Sequence, residues 1–429
     1  GFNADATISD LQLAPRQPYP LEADIIWAYD APDLAALQGN GKLAGDLERI
    51  TLQQSLVAPL NSEIELTATS LLNNPAFNAT LKLNGIQLQK LKTDLPKMAI
   101  NGTLSADGKL EEGAVSYNSN GGLRFVIKDL SPELENIAPV TLQWQLNGDQ
   151  TAMTLKSLQA DIAGGTLSGD GTLAWQPAIK TKLQLQARNF NPEPFAADWP
   201  GMVNTDLKIA AEMVNGKPVA EVELTELNGT LRNYPLGGSI LASLDQAGLL
   251  KLKRIDLRSG SAILKADGSV ADIGTVDKNG KAKQPKLDIE WSLEAPNLKE
   301  VLPDASGSIG MNGRATGRLP TPEVITQLKA SNVAVAGITV QNADADIALS
   351  DKQQWQVALN VQQLQTGTET VRVLKVGSTG GLEKHGFEIV VDADSIQAEF
   401  AANGRMMPGV TFSPTPLLPQ RDFYSGWLA

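Results

Sequence analysis

The sequence predicts an all-β protein: one elongated, curved, mostly antiparallel sheet, built from repeats of about 104 residues and apolar on its concave face. Three observations predict it. Apolar and polar residues alternate along most of the chain, Asn-Gly and Asp-Gly pairs punctuate it, and a proline-containing join returns at a regular interval.

The alternation comes first. Apolar residues recur at every second position at Ala23, Ile25, Trp27 and Tyr29, at Ile64, Leu66 and Ala68, and at Phe77, Ala79, Leu81 and Leu83. They do so again through Leu142, Trp144 and Leu146, Leu183 and Leu185, Val203 to Met213, Ala220 to Leu224, Leu287 to Leu293, Trp355 to Val361, and Phe387 to Val391. Each run therefore has one greasy and one polar face, as in a sheet wetted on one side. Asn-Gly occurs ten times, for example at Asn84-Gly85, Asn147-Gly148, Asn215-Gly216, Asn228-Gly229 and Asn312-Gly313. Asp-Gly occurs at Asp107-Gly108, Asp170-Gly171 and Asp267-Gly268. Such pairs tolerate the positive φ of type I′ turns and are expected to close hairpins.

The join organises the rest. LQLQA (183–187) runs through NFNPEPFAADWPG (189–201) to Trp199-Pro200-Gly201 and on into VNTDLKIAA (203–211). KLDIEWSL (286–293) leads through NLKEVLPDASG (297–307) to Leu302-Pro303, and FNATLKL (77–83) leads through LQKLKTDLPKM (88–98) to Leu95-Pro96. The three prolines stand 104 and 103 residues apart, and Met407-Pro408 follows Pro303 by 105. The expected units are residues 1–94, 95–198, 199–301 and 302–406, followed by a Pro-rich aromatic tail at 407–429. A unit of this size holds about five strands before a crossover carries the chain onward. Short helices are expected at 30–39, capped by Asp30 or Asp33, at 130–138, capped by Ser131, and at PEPFAADW and NLKEVL beside the joins. Residues 274–286 read as a polar loop.

Composition removes whole classes of function. Lys plus Arg is 36 against 48 for Asp plus Glu, a net charge of −12, so no field draws in nucleic acid. Cysteine is absent, which excludes disulfides, thiolate metal sites and a thiol nucleophile. No run of about 18 apolar residues offers a membrane span, and the start at Gly1 suggests a segment of something longer.

Nothing reads as catalytic. His385, the single histidine, lies in GGLEKHGF and is expected at a solvated hairpin tip. GTVDKNGK (274–281) is one residue too long for a phosphate loop, and Ala282 stands where Ser or Thr would be needed. Asn78, Asn101 and Asn228 begin chance glycosylation triplets, and Glu111-Glu112 falls in a turn with no apolar pocket to raise a pKa. No catalytic residue, cofactor or metal is expected.

What remains is the apolar phase. Exposed apolar surface beyond a few hundred Å² marks a binding site. The candidate lining of an open groove is Leu81, Leu83, Leu142, Trp144, Leu183, Leu185, Leu207, Ile209, Val222, Leu224, Leu287, Ile289, Trp291, Val357, Leu359, Phe387 and Ile389, with Trp27 and Trp355 in the same phase. Trp199 belongs to a join and is expected to plug one edge. A long, apolar ligand able to slide fits such a lining: the acyl chains of phospholipids. Two other readings use the same pattern, a scaffold that receives unfolded strands by β-augmentation, and stacked closed β-sandwiches.

The DWPG (198–201) and VLPDASG (301–307) joins, and the strand–turn–strand run GRATGRLPTPEVITQLKASNVAVAGITV (313–340), resemble the TamB family of the wider AsmA-like group of repeating β-groove proteins. The resemblance covers about residues 60–406. It implies a β-taco with a hydrophobic groove in the periplasm of a diderm bacterium, anchored to the inner membrane by a helix outside this segment. It implies transfer of phospholipid between inner and outer membranes, or assembly of outer-membrane β-barrel proteins with the barrel protein TamA, met through regions outside this segment. The family offers no catalytic motif.

Overall fold

The computed structural model describes residues 3–404, apart from 32–33, 58, 96, 128–139, 351, 353 and 382–383. The expected helix at 130–138, the tail at 407–429 and Pro96 lie outside the described residues. The first strands are Asn3–Leu13 (β1), Leu21–Asp30 (β2), Leu37–Gly45 (β3), Arg49–Leu56 (β4), Ser62–Thr69 (β5), Ala76–Gln87 (β6), Met98–Glu111 (β7), Ala114–Ile127 (β8) and Val140–Asp149 (β9). Then follow Ala152–Ile162 (β10), Gly165–Ala174 (β11), Lys180–Phe190 (β12), Gly201–Val214 (β13), Lys217–Leu231 (β14), Tyr234–Leu244 (β15), Leu250–Ser259 (β16), Ala262–Ala271 (β17) and Lys286–Ala295 (β18). The last are Ala305–Arg318 (β19), Glu323–Val335 (β20), Ile338–Leu349 (β21), Trp355–Thr366 (β22), Glu369–Gly380 (β23), His385–Ala393 (β24) and Gln397–Gly404 (β25).

Every strand pairs antiparallel with its neighbours in the chain, giving one open, curved, 25-stranded meander. At about 4.8 Å per strand step, 24 steps carry the sheet roughly 115 Å along its curve. The helical content among the described residues is one turn at Leu88–Leu91 and a 3-10 turn at Leu298–Glu300.

Several expectations are corrected. The described residues of 30–39 carry no helix, since β2 runs to Asp30 and β3 starts at Leu37. PEPFAADW makes only turns, with Phe195 N–H donating to Pro192 O at 2.9 Å and Trp199 N–H to Ala196 O at 2.8 Å. The joins are not crossovers. Each connects strands that pair directly, β6 with β7, β12 with β13 and β18 with β19, so six strands rather than five separate one join from the next. The short turns differ from expectation too. Eight of the ten Asn-Gly pairs lie inside strands. Hairpins close instead at pairs such as Ala163-Gly164, Arg232-Asn233 and Ala336-Gly337, all with positive φ.

The joins lie along one edge of the meander and reach across the neighbouring turns. In a flat sheet the β14–β15 turn and the β18–β19 join stand about 19 Å apart, four strand spacings. Here Arg232 Nη1 donates to Lys299 O at 2.9 Å, and its guanidinium sits 5.6 Å from the Trp199 ring centroid in the preceding join. The 296–304 join folds back over the β16–β17 turn: Ser261 Oγ donates to Glu300 Oε2 at 2.7 Å and Ser259 Oγ to Glu300 O at 3.3 Å. A small core seats it, with Ala262, Ala295, Leu298 and Ala305 buried together.

Candidate functional site

The ladder fixes which side chains share a face, because directly paired residues project the same way. One row reads Ile64, Leu81, Leu104, Gly121, Trp144, Leu158, Gly169, Leu185, Leu207 and Leu224. It continues through Ile240, Ile255, Ala266, Trp291, Gly313, Thr326, Ile347, Val357, Ser378 and Phe387. The other candidates stand on neighbouring rows of the same phase, so all seventeen project from one face.

None of the seventeen is buried. Sixteen are half-buried and Phe387 is 40 % exposed. A second layer packed on this face would bring such leucines close to full burial, as in a sandwich. Among the described residues no large side chain is fully buried. The chain exposes 27453 Å², against about 16,000 Å² for a compact monomer of its mass.

Large and small alternate along the rows. Gly169 stands between Leu158 and Leu185, Gly171 between Leu155 and Leu183, Gly102 between Leu83 and Leu123, and Gly268 between Leu252 and Ile289. A Cβ on Gly169 would lie 2.6 Å from the Leu185 Cδ2, and one on Gly171 2.6 Å from Lys182 O. On the opposite, polar face a Cβ on Gly122 or Gly377 would find nothing nearer than 3.9 or 3.8 Å, and one on Gly310 nothing within 4 Å. Most crowded strand glycines stand in the apolar phase, although a Cβ on Gly386, on the polar face, would lie 3.0 Å from Asn403 Oδ1.

The tryptophans follow one plan. Trp27, Trp144, Trp291 and Trp355 each pair with a glycine, respectively Gly39, Gly121, Gly313 and Gly380. Trp27 Nε1 donates to Gln54 Oε1 at 3.2 Å, Trp144 Nε1 to Ser119 Oγ at 3.3 Å, and Trp355 Nε1 to Ser378 Oγ at 2.8 Å. This explains Gln54 and Ser378, polar side chains only 7 % and 6 % exposed in an apolar row.

The polar face carries cross-strand ion pairs, among them Lys180–Glu212 at 2.8 Å, Lys208–Glu223 at 3.7 Å and Arg314–Asp288 at 2.9 Å. They are exposed and add little stability, but they keep that side wet. A cleft of about 680 Å³ lies there, walled by Gln143, Gln145, Gln159, Gln184 and Gln186.

His385 is corrected. It opens β24 on the apolar face rather than sitting at a solvated tip, with Nδ1 3.1 Å from Gly381 O and its ring between Trp355 and Phe387, at centroid distances of 5.7 and 5.3 Å. Lining residues missed in the sequence include Leu104, Leu123, Leu158, Leu167, Ile240 and Ile255. In strands such as NGTLSADG (101–108), glycine fills the apolar phase and hides the alternation. Among the described residues no three His, Cys, Asp or Glu side chains gather to hold a metal, and no helix is long and apolar enough to cross a membrane.

An open, curved antiparallel meander with almost no helix has the architecture of a β-groove protein. The family model described as TamB, N-terminal domain matches residues 129–409, and the chain belongs to the TamB family. It is 22 % identical over 397 residues to the translocation and assembly module subunit TamB of Haemophilus influenzae, covering 86 % of this chain. The chain spans 29 % of that relative's length. No solved structure matches it.

Proposed function

We propose that this chain is a segment of a periplasmic lipid-transfer protein, whose apolar face is the inside of the curve and shelters phospholipid acyl chains between inner and outer membranes. The observation that carries this reading is the mostly apolar row, interrupted by Thr326 and Ser378: it crosses strand after strand in one phase while none of its candidate side chains is sealed. The crowding of glycines on that face supports its being the concave one, since side chains converge inside a bend and diverge outside it. Sliding needs near-equal energies at successive positions, and dispersion contacts with Leu, Ile and Val supply them without direction. The repeating unit in this reading is the six strands between joins, and the protein does no covalent chemistry.

A second reading has one observation of its own. The relative is named a subunit of a translocation and assembly module, which favours a scaffold for outer-membrane β-barrel assembly with TamA. Photo-crosslinkers at Leu185, Ile209 and Val357, against Gln184, Lys208 and Gln356 on the other face, decide between them. Phospholipid adducts at the first set alone support transfer, peptide adducts there support the scaffold, and equal lipid labelling of both sets refutes the groove.

A further inference from the structure

We propose that Trp27, Trp144, Trp291 and Trp355 are floor plates that fix the depth of the groove and select hydrocarbon over peptide as its occupant; this rests on the lipid reading above. Each indole stands on a strand whose ladder partner is glycine, and for Trp27, Trp144 and Trp291 the missing side chain is the socket, whereas a Cβ on Gly380 would meet Lys384 O and His385 instead. A Cβ on Gly39 would stand 2.6 Å from Trp27 Nε1, one on Gly121 2.5 Å from Trp144 Cη2, and one on Gly313 2.7 Å from Trp291 Cε2. Carbon atoms need about 3.5 Å or more, so any side chain in a socket lifts the ring toward the lumen.

The polar ends are tied down as well. Three of the four indole N–H groups are donated to Gln54, Ser119 and Ser378 of the same face, so they point along the floor rather than into the groove. Trp27, Trp144 and Trp355 thus offer a guest π-faces and no donor. An extended peptide laid on such a floor leaves its own backbone groups unpaired, a cost a hydrocarbon chain does not have. The same tie holds the ring flat, and so keeps the clearance even along the route of a sliding chain.

The test uses phospholipid brominated on its acyl chains, which quenches indoles in contact with it, added in detergent-free vesicles to the intact protein. Trp144→Phe and Trp291→Phe are expected each to remove a clear share of the quenching, and Trp199→Phe, at the rim, to remove little. Gly121→Ala is expected to lower lipid loading several-fold, and Gly121→Ala with Trp144→Leu to restore it, which also separates obstruction from misfolding. Absence of quenching in the parent protein overturns the lipid reading and this inference with it. Quenching in the parent that Trp199→Phe reduces as much as Trp144→Phe, or loading that Gly121→Ala leaves unchanged, overturns the plates alone.

Discussion

Ser378 stands on the strand next to Trp355 and accepts its indole N–H at 2.8 Å, two residues before Gly380, the ladder partner of Trp355, whose ring lies 5.7 Å from that of His385. A hydroxyl in an apolar row is the partner that lets a tryptophan lie in that row. Ser378→Ala leaves the donor unpaired in a half-dry setting, at a cost of about 1 kcal/mol. Hydrogen exchange of β22 and β23 measures it: their opening free energy falls by that amount while β12 and β13 are unchanged.

The two faces respond oppositely to added bulk. Gly169→Val drives side-chain atoms into Leu185 and costs about 1–3 kcal/mol as an overpacked site. Gly377→Val, on the polar face with its nearest contact at 3.8 Å, is neutral or stabilising because a β-branched residue suits an open strand position. Local unfolding measured in both variants checks this, and equal losses would mean that the crowded side has been misassigned.

Arg232 sets the width of one rim by reaching both Trp199 and Lys299. Arg232→Ala releases the fold-back of the 296–304 join. The chain has no cysteine, so labels placed at Thr230 and Lys299 are unique. Pulsed electron-spin distances between them are expected to lengthen and broaden in the variant, and an unaltered distribution would assign the curvature to the strands alone.

Asp392 ties β24 to β23 through Arg372, whose Nη2 lies 2.5 Å from Asp392 Oδ1, while Arg372 Nη1 reaches Asp394 Oδ1 at 2.9 Å. The hydrogen bond from Arg372, and then that from Gln397, hold the Asp392 carboxyl below the usual carboxylate range. A depressed folded pKa means the stabilisation is complete above the unfolded value of about 3.9 and is lost as pH falls through the folded one. Exchange in β25 is therefore expected to accelerate below about pH 4, and Arg372→Ala to accelerate it at neutral pH and flatten that dependence.

Much of this arrangement was legible in the residues. LQLQA, KLDIEWSL and WQVALNV declare their phase because period two leaves no choice of face once one side is apolar, and all seventeen candidate positions fall on one side of the sheet. The strands between them were not legible. Asn101-Gly102, Asn147-Gly148 and Asp170-Gly171 read as turns, yet they are strand residues whose polar member faces water and whose glycine faces the crowded side.

Sequence alone determined the β character and the alternation of greasy and polar residues, because both are encoded by neighbours a few residues apart. Only the tertiary structure decided that the strands form a single unbroken meander, that the joins connect strands paired side by side, and that most Asn-Gly and Asp-Gly pairs are strand residues rather than turns. Those outcomes depend on which strand lies beside which, and on how tightly the sheet bends. A Gly opposite a Trp is a property of a pair of strands, and no local run of residues contains it.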